Sequence, residues 1–201
     1  MQYQELPLFP SLVMLFKSEN NFEKEFEYIK NIKYRDKISI NKYLLYEPEL
    51  ENLKKFFQDA IKFYLQEKFK SDQNLGIAQS WATIINKGES FSPHDHPNSV
   101  INGCFYFSVD SSTPPLTLMK NQQANLYPYI SDNSEYNMGT FDIHAGPGQL
   151  VLFPNTLFHK VGKSKSDLTR RSVAFNTFMI DTLGDRERMT EIDLEKIKRN
   201  N

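Results

Sequence analysis

One cysteine stands in 201 residues, so no disulfide can form within the chain and its stability must come from packing. That residue, Cys104, lies in the apolar run Cys104-Phe105-Tyr106-Phe107 and reads as a small core side chain. No stretch approaches the roughly 20 apolar residues that a bilayer-spanning helix needs, and Met1-Gln2-Tyr3-Gln4-Glu5 has no basic leader. The expectation is a soluble, cytoplasmic protein with no membrane partner. Charge of one sign is also lacking: 24 basic residues face 25 acidic ones, and a net charge of −1 creates no field that would recruit nucleic acid. Histidine is scarce, with four in the chain, yet two of them stand two residues apart.

What is abundant is aromatic. Sixteen Phe and ten Tyr fit a core of half-buried strands. The length suits one domain, and residues 1–201 read as one, with a helical part over 1–75, a strand-rich core over 76–180 and a charged tail over 181–201. Phe22, Phe26 and Ile29 predict an amphipathic helix over 21–33. Pro48, Glu49 and Glu51 open a second one, whose stripe Leu50, Leu53, Phe57, Ile61 and Tyr64 runs to about Phe69. From Gly76 the period becomes two. Strands are expected over 77–85, 99–109, 115–119, 139–144, 149–153, 158–161 and 171–180, with a sandwich or jelly roll as their assembly. The polar stretch 120–140, bearing Tyr127, Tyr129 and Tyr136, is long for a hairpin connection and is a candidate active-site lid. Ile192, Leu194 and Ile197 suggest a short docked helix in the tail.

The chemistry concentrates in few residues. In an extended strand positions i and i+2 share a face, so His94 and His96 can converge on one ion while Asp95 looks away. His159, beyond an apolar strand, offers a third imidazole, and three protein ligands with open positions is the pattern of a catalytic metal. Arg170 and Ser172 repeat the same spacing. Together they form a carboxylate pocket, because a guanidinium presents a planar fork of donors and the hydroxyl adds one more. Arg171 faces the other way. His144 reads as an ordinary polar residue despite Asp142 nearby, Trp81 reads as core with lining of the substrate chamber as the alternative, and Thr83 and Asn176 project from strands as candidate supporting or substrate contacts.

These residues resemble the 2-oxoglutarate and iron(II)-dependent oxygenases, in particular a small branch found in marine bacterial and phage genomes. The resemblance is carried by Leu8-Phe9-Pro10, Ser80-Trp81, Gly88 with His94-Asp95-His96-Pro97-Asn98-Ser99, and Gly103-Cys104-Phe105-Tyr106. It continues in Pro147-Gly148-Gln149-Leu150-Val151-Leu152-Phe153-Pro154 with His159, and in Arg170-Arg171-Ser172-Val173-Ala174-Phe175-Asn176. It implies a mainly β fold, a double-stranded β-helix (cupin-like jelly roll) with the N-terminal helices packed outside. It also implies an oxidoreductase: a dioxygenase that uses iron(II), O2 and 2-oxoglutarate, releases succinate and hydroxylates a small-molecule or peptide substrate. Iron would sit on His94, His96 and His159, and Arg170 with Ser172 would hold the far carboxylate of 2-oxoglutarate. Most relatives place a carboxylate two residues after the first histidine. Here His96 stands there if His94 is first, and Asn98 does if His96 is first. Neither the substrate nor the oligomeric state is legible.

The same residues also resemble cupin motifs: Gly88, five residues, His94-x-His96, and Gly148, five residues, Pro154, then His159. The cupin glutamate would fall on Val100 or Ile101, and its asparagine on Lys163. That alternative keeps the fold but implies an isomerase, another dioxygenase or a ligand-binding module without 2-oxoglutarate.

Overall fold

A computed structural model describes residues 2, 4, 10–120, 131, 132, 134, 137–180 and 182–199. The candidate lid tyrosines Tyr127, Tyr129 and Tyr136, and Leu8 and Phe9, lie outside them. The first strand, β1 (Met14–Lys17), precedes α1 (Glu23–Asn31). Glu23 and Glu25 occupy the first turn of α1 and Lys30 the last, which suits the helix dipole. A short hairpin follows, β2 (Tyr34–Arg35) and β3 (Ile38–Ser39). The sequence did not announce β1, β2 or β3, because two to four residues are too few to display a period.

The second helix starts as a tight turn at Pro48–Leu50, becomes α2 (Glu51–Phe63), and widens into a π-turn over Tyr64–Phe69. Its buried residues Leu53, Phe57, Ala60 and Ile61 share one face. Phe57 stacks on Phe175 at 4.9 Å between ring centres and meets Phe105 at 5.5 Å.

The core strands are β4 (Leu75–Ile85), β5 (Phe91–His94), β6 (Ile101–Ser108), β7 (Leu116–Met119), β8 (Thr140–Ile143), β9 (Gln149–Pro154), β10 (Phe158–Val161) and β11 (Arg170–Met179). A seven-stranded sheet runs β1-β9-β6-β11-β4-β3-β2 and a four-stranded one β5-β10-β7-β8, with antiparallel pairing throughout. Strand alternation gives the large sheet two apolar faces. Phe105, Leu150, Leu152, Val173 and Phe175 face the helices. Cys104, Tyr106, Val151 and Phe153 face the other way, packed with Leu116, Leu118, Ile143 and Val161 of the small sheet. The result is the jelly roll with helices outside.

Gly103 is required by a close approach: a Cβ there would lie 2.1 Å from the ring of Phe175. In the tail, Leu183 bridges to Ile192 and the short helix expected there follows as α3 (Leu194–Arg199), but it buries no residue and lies at the surface. No helix among the described residues is long and apolar enough to cross a membrane.

Candidate metal centre

β5 and β10 are antiparallel neighbours, and His94 lies directly opposite His159. Directly opposed residues point to the same side of a sheet, so the two rings meet with centres 4.2 Å apart. His96 reaches them differently from the sequence expectation. β5 ends at His94, and His96 sits in the segment beyond it, before a turn in which Asn98 adopts the left-handed conformation with φ 60°. Its ring centre is 5.3 Å from that of His94 and 4.8 Å from that of His159. The candidate ligand atoms of the three histidines all lie within 4.8 Å of one another. Asp95 and Asn98 are exposed, and Asp95 takes no part in the cluster.

What places His96 is Asn176 on β11, whose Oδ1 lies 2.6 Å from His96 Nδ1. His94 Nδ1 lies 2.8 Å from the carbonyl of Ser92. A carbonyl oxygen can only accept, so each ring, when neutral, donates through Nδ1–H and keeps its lone pair on Nε2, free for a metal. His159 Nδ1 is buried and makes no hydrogen bond. Burial first, and then the neighbouring His94 and His96, lower the His159 pKa from 6.5 to about 3. Burial also lowers that of His96. Both shifts disfavour the charged form, so buried His159 and half-buried His96 stay neutral at physiological pH. Three clustered imidazoles, one with an unpartnered buried nitrogen, fit a divalent transition metal.

Two predictions arise here. Asn176→Ala should weaken divalent metal affinity by about 10- to 100-fold, the range for losing a residue that orients a ligating histidine. Metal titration checks it, and Asn176→Asp, which keeps an acceptor, should restore most of the loss. The second concerns pH. Between 6.5 and about 3 the unfolded chain protonates at His159 while the folded one does not. The metal-free protein is therefore at full stability above pH 6.5 with respect to this group, and loses up to about 1.4 kcal/mol per unit as pH falls through the window. Denaturant unfolding near pH 7 and near pH 5 should show that slope, flattened in His159→Gln. Equal midpoints at both values would contradict a neutral His159.

The histidines open into a cavity of about 640 Å³ between the sheets, which also takes in Trp81, Thr83, Arg170 and Ser172. Trp81, expected in the core, instead lines this cavity with its ring 5.3 Å from that of His96. The reason is strand phase: Trp81 and Thr83 share the inward face of β4, while Ala82 packs under the helices. Along β11 the same alternation sends Arg170, Ser172 and Ala174 inward and Val173 and Phe175 outward. Arg170 is 2% exposed, donates through Nη1 to Ser172 Oγ at 3.1 Å, and lies over the Tyr106 ring at 4.9 Å. Ser172 Oγ is 2.7 Å from Thr83 Oγ1. Arg170 Nε is buried with no partner, and no acidic group among the described residues pairs with the guanidinium. An uncompensated buried cation is costly unless an anion arrives to meet it. His144 is exposed after β8 and lines a separate, smaller cavity. Arg171 projects to the opposite face of β11, on the side of Tyr34.

Residues 79–176 match the family model described as "Putative 2OG-Fe(II) oxygenase". No curated protein matches the sequence. Among solved structures, an oxidoreductase of the 2OG-Fe(II) oxygenase family from Burkholderia pseudomallei superposes with a TM-score of 0.61 at 9% identity, covering 83% of this chain and 84% of its own. HygX from Streptomyces hygroscopicus, with nickel, 2-oxoglutarate and hygromycin B bound, gives 0.61 at 11% identity, covering 83% and 82%. The iron-bound form of HygX gives 0.59 at 12%, covering 83% and 81%. At these identities the superpositions establish the fold.

Proposed function

We propose, for a chain whose residues 79–176 match the 2OG-Fe(II) oxygenase family model, that it is an iron(II)- and 2-oxoglutarate-dependent dioxygenase. In this reading His94, His96 and His159 hold the metal, and Arg170 with Ser172 holds the far carboxylate of 2-oxoglutarate. The observation that carries it is Arg170: a buried guanidinium without an anionic partner among the described residues, in the same cavity as three clustered imidazoles. A dicarboxylate long enough to touch both resolves the unpaired charge. Binding of iron and of 2-oxoglutarate by a protein of this fold, HygX, supports the assignment.

Iron(II), when bound, supplies the centre at which O2 is reduced while 2-oxoglutarate is oxidatively decarboxylated to succinate and a substrate C–H bond is hydroxylated. The chain's own residues supply the rest. Asn176 and the Ser92 carbonyl keep the Nδ1 protons of His96 and His94, so these rings keep their lone pairs on Nε2. Thr83 and Ser172 fix the hydroxyl beside Arg170, which orients the cosubstrate's far end. Phe153, Leu116, Val161 and Cys104 make the inner wall apolar, which strengthens these polar contacts by excluding water.

Anaerobic titration of the iron(II)-loaded protein with 2-oxoglutarate tests the assignment. A visible charge-transfer band that grows and saturates is the expected result, since bidentate chelation of iron(II) by the keto acid produces it. Iron binding with no band would transfer the lead to a cupin-type metal protein.

A further inference from the structure

The cavity lining is cationic. It contains Lys37, Lys42 and Arg170 and no aspartate or glutamate. Both lysines come from the β2–β3 hairpin and the residues after it, which are tied to β4 through the backbone. The Ile84 amide donates to the Lys37 carbonyl and the Ser80 amide to the Lys42 carbonyl, each at 2.9 Å. The ammonium groups are likewise held by neutral carbonyls: Lys37 Nζ donates to Ser90, and Lys42 Nζ to Ser39 at 2.7 Å. Neither lysine has an ion-pair partner among the described residues. Lys37 also sits 4.5 Å from the centre of the Phe91 ring, itself part of the cavity wall. Burial and the nearby Arg35 both lower the proton affinity of Lys42, as expected of a cation with no anion beside it.

We infer that the substrate of this cavity carries an acidic group, a carboxylate or a phosphate, which Lys37 and Lys42 receive while its body lies between Trp81 and Phe91. This rests on the assignment of Arg170 to 2-oxoglutarate, which leaves the lysines as the unengaged cations. Charge counting supports it. Three neutral imidazoles cancel none of a bound dication's charge, Arg170 adds one positive charge, and the 2-oxoglutarate dianion removes two. A second anion entering past two lysines still meets a positive site, whereas a cationic substrate would be repelled from every side.

Trp81 is the only tryptophan in the chain and lines the cavity, so its emission reports occupancy without turnover. The probes are benzoate and phenyl phosphate, with benzamide as the neutral control, titrated into anaerobic iron(II)-loaded protein with and without saturating 2-oxoglutarate. Equilibrium dialysis of the same mixtures provides a second readout. In the presence of 2-oxoglutarate at least one anion should bind saturably, and about tenfold or more tighter than benzamide. The double variant Lys37→Gln, Lys42→Gln should lose that margin, and Lys37→Arg with Lys42→Arg should keep it. Which of the two anions binds tighter names the acid class. Equal affinity for benzamide, or an anion response untouched by Lys→Gln, overturns the inference. So does a response that 2-oxoglutarate abolishes, since the probe is then occupying Arg170. If 2-oxoglutarate itself fails to bind, the Arg170 assignment falls separately, and the titrations without it still decide the lysines.

Discussion

Alanine in place of His159 is expected to lower iron(II) affinity by on the order of a hundredfold or more, beyond the loss from disturbing a supporting residue, and to abolish succinate release. His159 is buried, opposite His94 on the neighbouring strand, with its pKa held to about 3 by burial and by the other two histidines. It is thus a lone pair available at any physiological pH. Without it two imidazoles remain, and the metal loses the strand pair that fixes the site's width. The fold should survive: the lost ring contact with Phe153, at 5.0 Å between centres, is offset by removing a buried nitrogen that has no hydrogen bond. Iron-dependent 2-oxoglutarate consumption by a folded His159→Ala protein would sink the three-histidine assignment.

Leucine in place of Arg170 should weaken 2-oxoglutarate binding by about 2–4 kcal/mol, the scale of truncating one partner of a desolvated charge pair. Iron affinity should stay near wild type, because Arg170 hydrogen-bonds Ser172 and none of the histidines. The free protein adds a second expectation with the opposite sign. Arg170 is buried with Nε unpartnered and no acid beside it among the described residues, so an apolar side chain of similar bulk should leave the melting temperature unchanged or raise it. A variant that melts higher and binds cosubstrate worse identifies a charge kept for its ligand. Unchanged 2-oxoglutarate binding would move the anchor elsewhere.

The candidate site was legible to the extent that its residues sit on long strands. Arg170 and Ser172 share a face because β11 is extended over both, as their spacing implies. For His94 and His96 the same rule anticipates that the two rings come together, but by an incomplete route: the strand ends at His94, and Asn176 on another strand positions His96. In the sequence Asn176 stands out only as a polar residue on an apolar strand, and nothing there names its partner. Trp81 reads as core because a large aromatic in a strand usually packs there. Its neighbour Ala82 faces the helices, and the phase of β4 leaves Trp81 in the cavity. Lys37 and Lys42 give no signal, since surface lysines are common and the β2–β3 hairpin is too short to show a pattern.

By itself the sequence determined the local geometry. Helical stripes marked α1 and α2, the period of two marked the long strands, and the scarcity of histidine made a close pair conspicuous. These features depend on side-chain directions that repeat along a few residues of backbone. Only the tertiary structure decided which strands oppose one another, and so which residues meet. His159 faces His94 because β10 pairs with β5. Among the described residues Arg170 has no acidic partner, because neither sheet sends one into the cavity. Lys37 and Lys42 line it because the β2–β3 hairpin and the residues after it are tied to β4. Strand pairing joins residues far apart in the chain through backbone hydrogen bonds that any sequence can make. Its outcome is therefore set by how the whole set of apolar faces is buried at once.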